Sequence, residues 1–217
     1  MDNQMAARWR WHALLLLIAT LLVVGCSQEG YATVTTHTST AEDNTGTRQV
    51  DDAGNRLPFD TQFERRWNPG NDGSPYEPCT ALGDYQLGKL RIDPDSVADA
   101  AGTSGQTLRG CKWRYVRSDP HDRWNLSQFV GDSPGLATSK ERRSGGINQW
   151  LPDEVISGRQ VGVHIYTTGD QCDTYVQSGQ ASVITMVTHF GRPQPPISEI
   201  CDRALAFTRA TIDKMPL

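Results

Sequence analysis

The first strong hydrophobic signal in the chain is a short apolar run near its N-terminus. Ala13 to Val24 is almost continuously apolar, and two basic residues, Arg8 and Arg10, precede it. A basic start followed by about a dozen apolar residues is typical of an export signal. The run is too short to cross the ~30 Å hydrocarbon core of a bilayer, which requires about 20 helical residues. The pattern therefore predicts a signal peptide over residues 1–25 rather than a membrane span.

The apolar run ends in a motif that resembles the lipobox of bacterial lipoproteins. The motif is Val23-Val24-Gly25-Cys26, and in lipoproteins the thiol accepts a diacylglyceryl group before cleavage makes this cysteine the mature N-terminus. The alternative is ordinary secretion, which would leave Cys26 as an odd thiol beside four other cysteines. We therefore predict lipidation of Cys26 and anchoring on the extracytoplasmic face of the cell membrane.

Two segments of different character separate the lipobox from the main domain. Residues 26–56 begin with the lipidated cysteine and are polar and threonine-rich, which predicts a disordered tether. In residues 57–74, Phe59, Phe63 and Trp67 are spaced four apart and would share one face of a short docking helix, followed by a loop. That aromatic face would either pack on the core or dock a partner.

The remaining chain, residues 75–217, combines helix and strand patterns. A short helix is expected at Pro78, and residues 197–215 show the 3, 4, 7, 8 spacing of an amphipathic helix. Alternating apolar and polar residues predict about five strands, at 108–116, 124–130, 161–165, 172–176 and 181–190. Residues 131–149 and the surroundings of Asp93 are predicted as loops, and 152–155 as one helical turn. The expected fold class is α+β, an antiparallel sheet with N- and C-terminal helices packed on it.

Four cysteines lie within this domain, Cys79, Cys111, Cys172 and Cys201. In an exported protein, paired thiols persist as disulfides. Four cysteines allow three pairings. Pairing Cys79 with Cys111 and Cys172 with Cys201 closes loops of about 30 residues, and short loops cost less entropy to close. Each of these bonds would also fasten the start of a helix to a strand, so we predict these two disulfides.

The charge distribution restricts the possible partners. Without residues 1–25 the chain has 19 basic and 24 acidic residues, a formal net charge of −5. Nucleic acid binds to positively charged surfaces, so we do not expect it to be a partner of this acidic chain.

The window 109–143 differs from the rest of the chain, because its eight basic and four acidic residues give a local charge of +4. Here we predict an anion-binding face for anionic lipid, a wall polymer or an envelope protein, with a plain solvated face as the alternative. Its residues would be Lys112, Arg114, Arg117 and Arg142.

Motifs for catalysis or metal binding are weak. The pentapeptide Gly-Asp-Ser-Pro-Gly at 131–135 matches the Gly-x-Ser-x-Gly nucleophile elbow. In that elbow the residue after the serine donates a backbone N–H to the oxyanion, and Pro134 has none. The sequence contains no Cys-x-x-Cys pair and no glycine-rich phosphate loop. We therefore predict no catalytic residue, no metal ligand and no cofactor, and keep an envelope hydrolase as the alternative.

An ordered set of motifs carries a resemblance to a known family. The set is Pro78-Cys79 at a helix start, Gly110-Cys111-Lys112-Trp113 in a strand, Cys172 on a later hairpin and Cys201 at the last helix. With the lipobox, it resembles an actinobacterial, mycobacterial-type family of envelope lipoproteins with a two-disulfide domain of unknown function. The resemblance covers residues 75–217 and implies a membrane-anchored extracytoplasmic lipoprotein. We expect a binding or scaffolding module of the envelope, with an enzyme or a partner-docking accessory subunit as alternatives.

Overall fold

An antiparallel sheet of eight strands forms the centre of the fold. The computed structural model describes residues 46–117 and 119–217, which belong to one compact unit, Asp43–Leu217. The strands are β1 (Ile92–Asp99), β2 (Arg109–Tyr115), β3 (Trp124–Val130), β4 (Asn148–Trp150), β5 (Glu154–Ile156), β6 (Arg159–Tyr166), β7 (Gln171–Ser178) and β8 (Ala181–His189). Their spatial order is β1-β2-β3-β8-β7-β6-β4, and β5 also pairs with β6.

The helices of the described residues precede β1 or follow β8, except for α2, which lies between β3 and β4. They are the 3-10 helix Pro78–Thr80, α1 (Asp84–Lys89), α2 (Leu136–Arg142), α3 (Ile197–Thr211) and the 3-10 helix Ile212–Lys214. α3 packs across β7 and β8. Its buried side chains, such as Ile200, Ala204 and Phe207, recur at helical spacing, so one apolar face covers the sheet. None of the helices between residues 46 and 217 is long and apolar enough to span a bilayer.

The hydrophobic core lies between α3 and one face of the sheet, here called the inner face. Strand side chains alternate between the two faces, and the strand register aligns Trp113 with Leu126 and Leu126 with Val187. These side chains belong to one continuous buried cluster, and the Trp113 ring centroid lies 5.5 Å from that of Phe207 in α3. Because the unit has its own core and both disulfides, it can fold without the residues that precede it.

Both predicted disulfides are present. Cys79–Cys111 joins the first 3-10 helix to β2, with a Cα separation of 5.3 Å. Cys172–Cys201 joins β7 to α3, with a Cα separation of 5.1 Å. Each bond therefore connects a helical element to the sheet, as the sequence predicts.

The α+β class and the antiparallel sheet are confirmed, but the expectation of about five strands is wrong. The additional strands are β1, β4 and β5. The register of β1 against β2 shifts between Asp93 and Ala98, so the alternation that marks a strand is broken there. β4 and β5 have only three residues each, too few to show a period of two. In addition, α2 occupies part of the predicted loop 131–149, and β5 replaces the helical turn predicted at 152–155.

The N-terminal part of the described chain departs furthest from its prediction. The docking helix predicted from Phe59 to Trp67 is not formed, and the chain makes turns there instead. Phe59 and Trp67 nevertheless pack against the core. Residues 46–56, predicted as part of the tether, contact the domain: buried Asp51 accepts a hydrogen bond of 2.6 Å from Thr80 Oγ1. The rest of the tether, Cys26 and the signal peptide lie outside the described residues.

Candidate functional site

The sheet face opposite α3, here called the outer face, is only partly covered. α2 packs on β7 there, where Leu136 clusters with Tyr175 and Ile184. The part formed by β1–β3 carries the exposed side chains of Lys112 and Arg114. This second part therefore presents polar and basic groups to solvent.

A surface groove runs across β1, β2 and β3 on this open part. Its lining residues are Ser96, Ala98, Lys112, Trp113, Arg114, Asn125 and Ser127. Lys112 and Arg114 are two residues apart in β2 and therefore project from the same face. Ser96 Oγ accepts a hydrogen bond of 2.8 Å from the Arg114 backbone N–H and donates one of 2.6 Å to the Asp93 carbonyl. These bonds hold the irregular part of β1 against β2, so the two cations stand on a fixed backbone.

Two further grooves extend the basic surface beyond the end of β2. Arg114 and Arg117 line the first of them, together with Asp93. Arg117 also lines the second, together with Arg123 and Arg192. The grooves thus share lining residues and form a continuous surface. We call its cationic side chains the basic strip: Lys112, Arg114, Arg117, Arg123 and Arg192.

Within the described part of the chain, the charges of the basic strip are not neutralised by ion pairs. Across residues 46–117 and 119–217, no carboxylate oxygen lies within the 4.0 Å ion-pair distance of any strip side chain. The acids nearest in sequence make other contacts. Asp119 accepts the His121 backbone N–H at 2.7 Å, and Asp122 accepts the Trp124 indole N–H at 2.5 Å. The strip can therefore attract an external anion.

Arg142, the fourth residue of the predicted anion-binding face, is placed elsewhere. It lies in α2, where its Nη1 donates to Ser133 Oγ at 3.2 Å and lies 3.4 Å from Asp132 Oδ1. The structure thus brings the other three predicted residues together and adds Arg123 and Arg192 to them. Sequence reasoning missed Arg192 because it follows β8, and only the strand order brings the end of β8 next to β3.

The Gly-x-Ser-x-Gly segment connects β3 to α2. A helix therefore does follow it, contrary to the predicted loop. The hydroxyl of Ser133 accepts a hydrogen bond from Arg142 and not from a histidine, and Pro134 still has no N–H to donate. Within the described part of the chain, no group of three His, Cys, Asp or Glu residues is arranged to hold a metal ion.

A buried polar cluster lies on the outer face near α2. His164 of β6 and Asp173 of β7 face each other, with Nδ1 3.4 Å from Oδ2 and side-chain exposures of 0% and 1%. His164 Nε2 lies 3.1 Å from Asn148 Oδ1 in β4. Burial raises the pKa of Tyr175, and the nearby charge of Asp173 raises it further. Histidine, carboxylate and phenol are groups used in acid–base chemistry, but these do not face solvent, and the cluster joins three strands.

A second buried ionic group lies beside the Cys79–Cys111 bond. Arg66 binds Glu77 through two hydrogen bonds of 2.7 and 2.9 Å, and Arg109 Nη1 donates to the same carboxylate at 2.9 Å. Arg66 Nε lies 3.2 Å from Asp99 Oδ2. Burial acts to raise the pKa of Glu77, but the bonds and charges of Arg66 and Arg109 outweigh it and lower that pKa. This charge network fixes residues 66–77 against the strands that carry the basic strip.

Comparison with known proteins relates the chain to one family. No curated protein and no solved structure shows significant similarity to it. Residues 21–214 match the family described as "Protein of unknown function (DUF3558)". The matched region includes the whole described domain up to Lys214 and also the end of the apolar N-terminal run. The chain therefore belongs to this family of proteins of unknown function, DUF3558.

Proposed function

We propose that this protein is a membrane-anchored, extracytoplasmic lipoprotein whose folded domain binds an anionic component of the cell envelope. The observation that carries the proposal is the basic strip, a set of cationic side chains along three adjoining grooves. The chain as a whole has a formal net charge of −4. A local positive surface on an acidic protein attracts anionic groups to that surface in particular.

The anchored location is supported by the N-terminal motif and by the disulfides. The family match begins at Leu21, so the matched region contains Cys26 as well as the domain. Two acyl chains on one cysteine give stable membrane attachment. The disulfides Cys79–Cys111 and Cys172–Cys201 agree with an oxidising compartment outside the cytoplasm.

The groove over β1–β3 supplies the groups that would orient the ligand. Lys112 and Arg114 contribute charge, while Ser96, Ser127 and Asn125 contribute neutral polar groups that can donate or accept hydrogen bonds. A guanidinium binds phosphate or carboxylate through parallel hydrogen bonds. This combination suits an anionic group with hydroxyls beside it, such as a headgroup phosphate or a sugar phosphate.

Lipidation is tested by labelling cells with a radioactive fatty acid. Cys26→Ser should abolish the label and leave the uncleaved precursor, because only a thiol forms the thioether. Ser27→Ala, the adjacent control, should stay labelled and processed. Normal processing of Cys26→Ser to a soluble mature protein would refute the anchor.

Anion binding is tested with residues 43–217 on immobilised polyphosphate at low salt. The double change Lys112→Glu with Arg114→Glu should weaken retention about tenfold, equivalent to roughly 1.4 kcal/mol. Added salt should weaken retention of the unmodified domain by screening. The matched control is Arg142→Glu with Arg209→Glu, which changes net charge equally outside the strip. An equal loss in the control would show that net charge, not the strip, determines binding.

A further inference from the structure

Apolar side chains stand among the arginines at one end of the basic strip. Val116 follows β2 and Phe190 follows β8, and each is 53% exposed. Phe190 lines the same groove as Arg123 and Arg192, and Val116 lines the groove that contains Arg117 and also Asp93. We call these five residues the tip.

The backbone of the tip is fixed by hydrogen bonds and close packing. The Phe190 N–H donates to the Arg123 carbonyl at 2.9 Å, and the Val116 N–H donates to the Arg91 carbonyl at 2.8 Å. A Cβ at Gly191 would lie 2.3 Å from the His121 carbonyl oxygen, so the close approach of these two loops requires glycine. Val116 and Phe190 are therefore held in place while their side chains face solvent.

This combination distinguishes the tip from Tyr85 and Val155, two apolar residues that are more exposed. Tyr85 lies beside one lysine, with Lys89 Nζ 4.4 Å from its ring centroid, and Val155 follows an acidic residue, Glu154. By contrast, the groove that contains Phe190 is lined by three arginines and by no carboxylate. A single exposed apolar side chain needs no explanation. At the tip, two exposed apolar side chains stand beside three arginines that make no ion pair within the described chain. Together they form an amphipathic surface.

We infer that the tip docks on an anionic lipid bilayer, with its arginines on lipid phosphates and Phe190 and Val116 in the boundary between headgroups and acyl chains. The inference rests on the proposed function and identifies the bilayer surface as the anionic component. A hydrated polymer would attract the arginines equally well but would offer no apolar region to Phe190. Aromatic side chains favour the interfacial region of a bilayer, and basic residues add attraction to anionic lipids.

The length of chain between the anchor and the domain permits this contact. Gly46, the first described residue, is 20 residues after Cys26. An extended chain covers about 3.5 Å per residue, or at most about 70 Å here. A domain of this size has a radius of gyration of about 16 Å. The tip can therefore reach the same membrane that would hold Cys26.

The test measures flotation of residues 43–217 with lipid vesicles, so no acyl anchor contributes. Vesicles of phosphatidylcholine mixed with phosphatidylglycerol should bind the domain more strongly than phosphatidylcholine alone. Phe190→Ser should weaken binding to the mixed vesicles about tenfold and leave retention on polyphosphate unchanged. Arg117→Glu with Arg192→Glu should weaken both vesicle binding and retention on polyphosphate, by about fivefold or more per arginine. The controls Tyr85→Ser and Arg209→Glu should bind as the unmodified domain does.

The outcomes separate this inference from the proposed function. If Phe190→Ser binds mixed vesicles normally while the arginine changes still weaken polyphosphate retention, the inference is overturned and the proposed function stands. If the unmodified domain binds neither vesicles nor polyphosphate, both fail. The thermal transition of each variant verifies its folding. Val116→Ser repeats the apolar test at an independent position. It should also lower vesicle binding without changing retention on polyphosphate.

Discussion

The two disulfides connect similar elements but lie in different surroundings. Cys79–Cys111 fastens a 3-10 helix to β2 among buried charges, and Arg66 Nη2 lies 3.0 Å from Cys79 Sγ. Cys172–Cys201 fastens α3 to β7, where the buried side chains of the helix are apolar or carry hydroxyls. The sequence separations are similar, 32 and 29 residues. The surroundings, rather than loop length, therefore distinguish the two regions.

This difference follows from the amount of regular structure in each region. α3 presents a repeating apolar face over 15 residues, so burial of that face is enough to orient it. Residues 46–82 contain one regular element, a 3-10 helix of three residues. Directional bonds fix this segment instead, because Glu77 accepts hydrogen bonds from Arg66, Arg109 and the Cys79 backbone N–H. Charge-assisted bonds with defined geometry thus replace a helical pattern.

The largest effect is expected when the charge of Glu77 is removed. Glu77→Gln preserves the size of the side chain but removes the negative charge that pairs with two buried arginines, Arg66 and Arg109. Breaking a buried ion pair from one side costs about 3–5 kcal/mol. We expect the free energy of unfolding, measured by urea denaturation, to fall by that amount. A fall of less than about 1 kcal/mol would mean that the network does not hold this segment.

The two regions also differ in how much of them the sequence reveals. The final helix and the long strands β2, β3, β6, β7 and β8 could be predicted because their apolar positions repeat at helical or strand spacing. The charge network could not, since no spacing rule relates Arg66, Glu77, Asp99 and Arg109 to one another. A charged residue is usually exposed, so the burial of Arg66, Glu77 and Arg109 becomes visible only when the chain segments are brought together.

The candidate site shows the same limit. Alternation along β2 correctly places Lys112 and Arg114 on one face. The positions of Arg192 and Phe190 depend on the neighbours of β8 in the sheet, which local patterns do not determine. Closeness in sequence suggests that Arg142 belongs to the site, but it lies in α2 and pairs with Asp132.

Removal of either disulfide should have a similar effect when each is tested alone. For loops of about 30 residues the chain-entropy contribution is about 3.6 kcal/mol. We expect Cys79→Ala with Cys111→Ala, and Cys172→Ala with Cys201→Ala, to lower the free energy of unfolding by about this amount. The measurement is urea denaturation of each double variant beside the unmodified domain.

The disulfides should differ in their coupling to the charge network. Arg66 contacts both Asp99 and Cys79. When Asp99→Asn is combined with loss of Cys79–Cys111, the change in the free energy of unfolding should therefore differ from the sum of the separate changes by about 0.5–3 kcal/mol. The same change should be additive with loss of Cys172–Cys201 within about 0.5 kcal/mol. Equal coupling to both disulfides would contradict the distinction between the regions.

Acid should weaken the region around Cys79 in particular. The pKa of Glu77 is lowered from its ordinary value of 4.5, because Arg66 and Arg109 outweigh the opposing effect of burial. A carboxyl with a lowered pKa in the folded state contributes stability above its unfolded pKa and loses it as the pH falls through the folded value. The free energy of unfolding should therefore decline below about pH 4.5. Glu77→Gln should show a shallower decline over the same range, and an identical decline would exclude Glu77 as its source.

The smallest effect is expected for an ion pair on the exposed side of α3. Glu199 Oε1 lies 3.1 Å from Arg203 Nη2, one helical turn away, and the Glu199 side chain is 48% exposed. Glu199→Gln makes the same chemical change as Glu77→Gln, but water already solvates and screens this charge. Arg203 should keep its position, because its guanidinium also packs 3.8 Å from the centroid of the Trp124 ring. We therefore expect a change in the free energy of unfolding of no more than about 0.5 kcal/mol. A loss of several kcal/mol would mean that removing a carboxylate is costly wherever it lies, and burial would no longer explain the difference between the two regions.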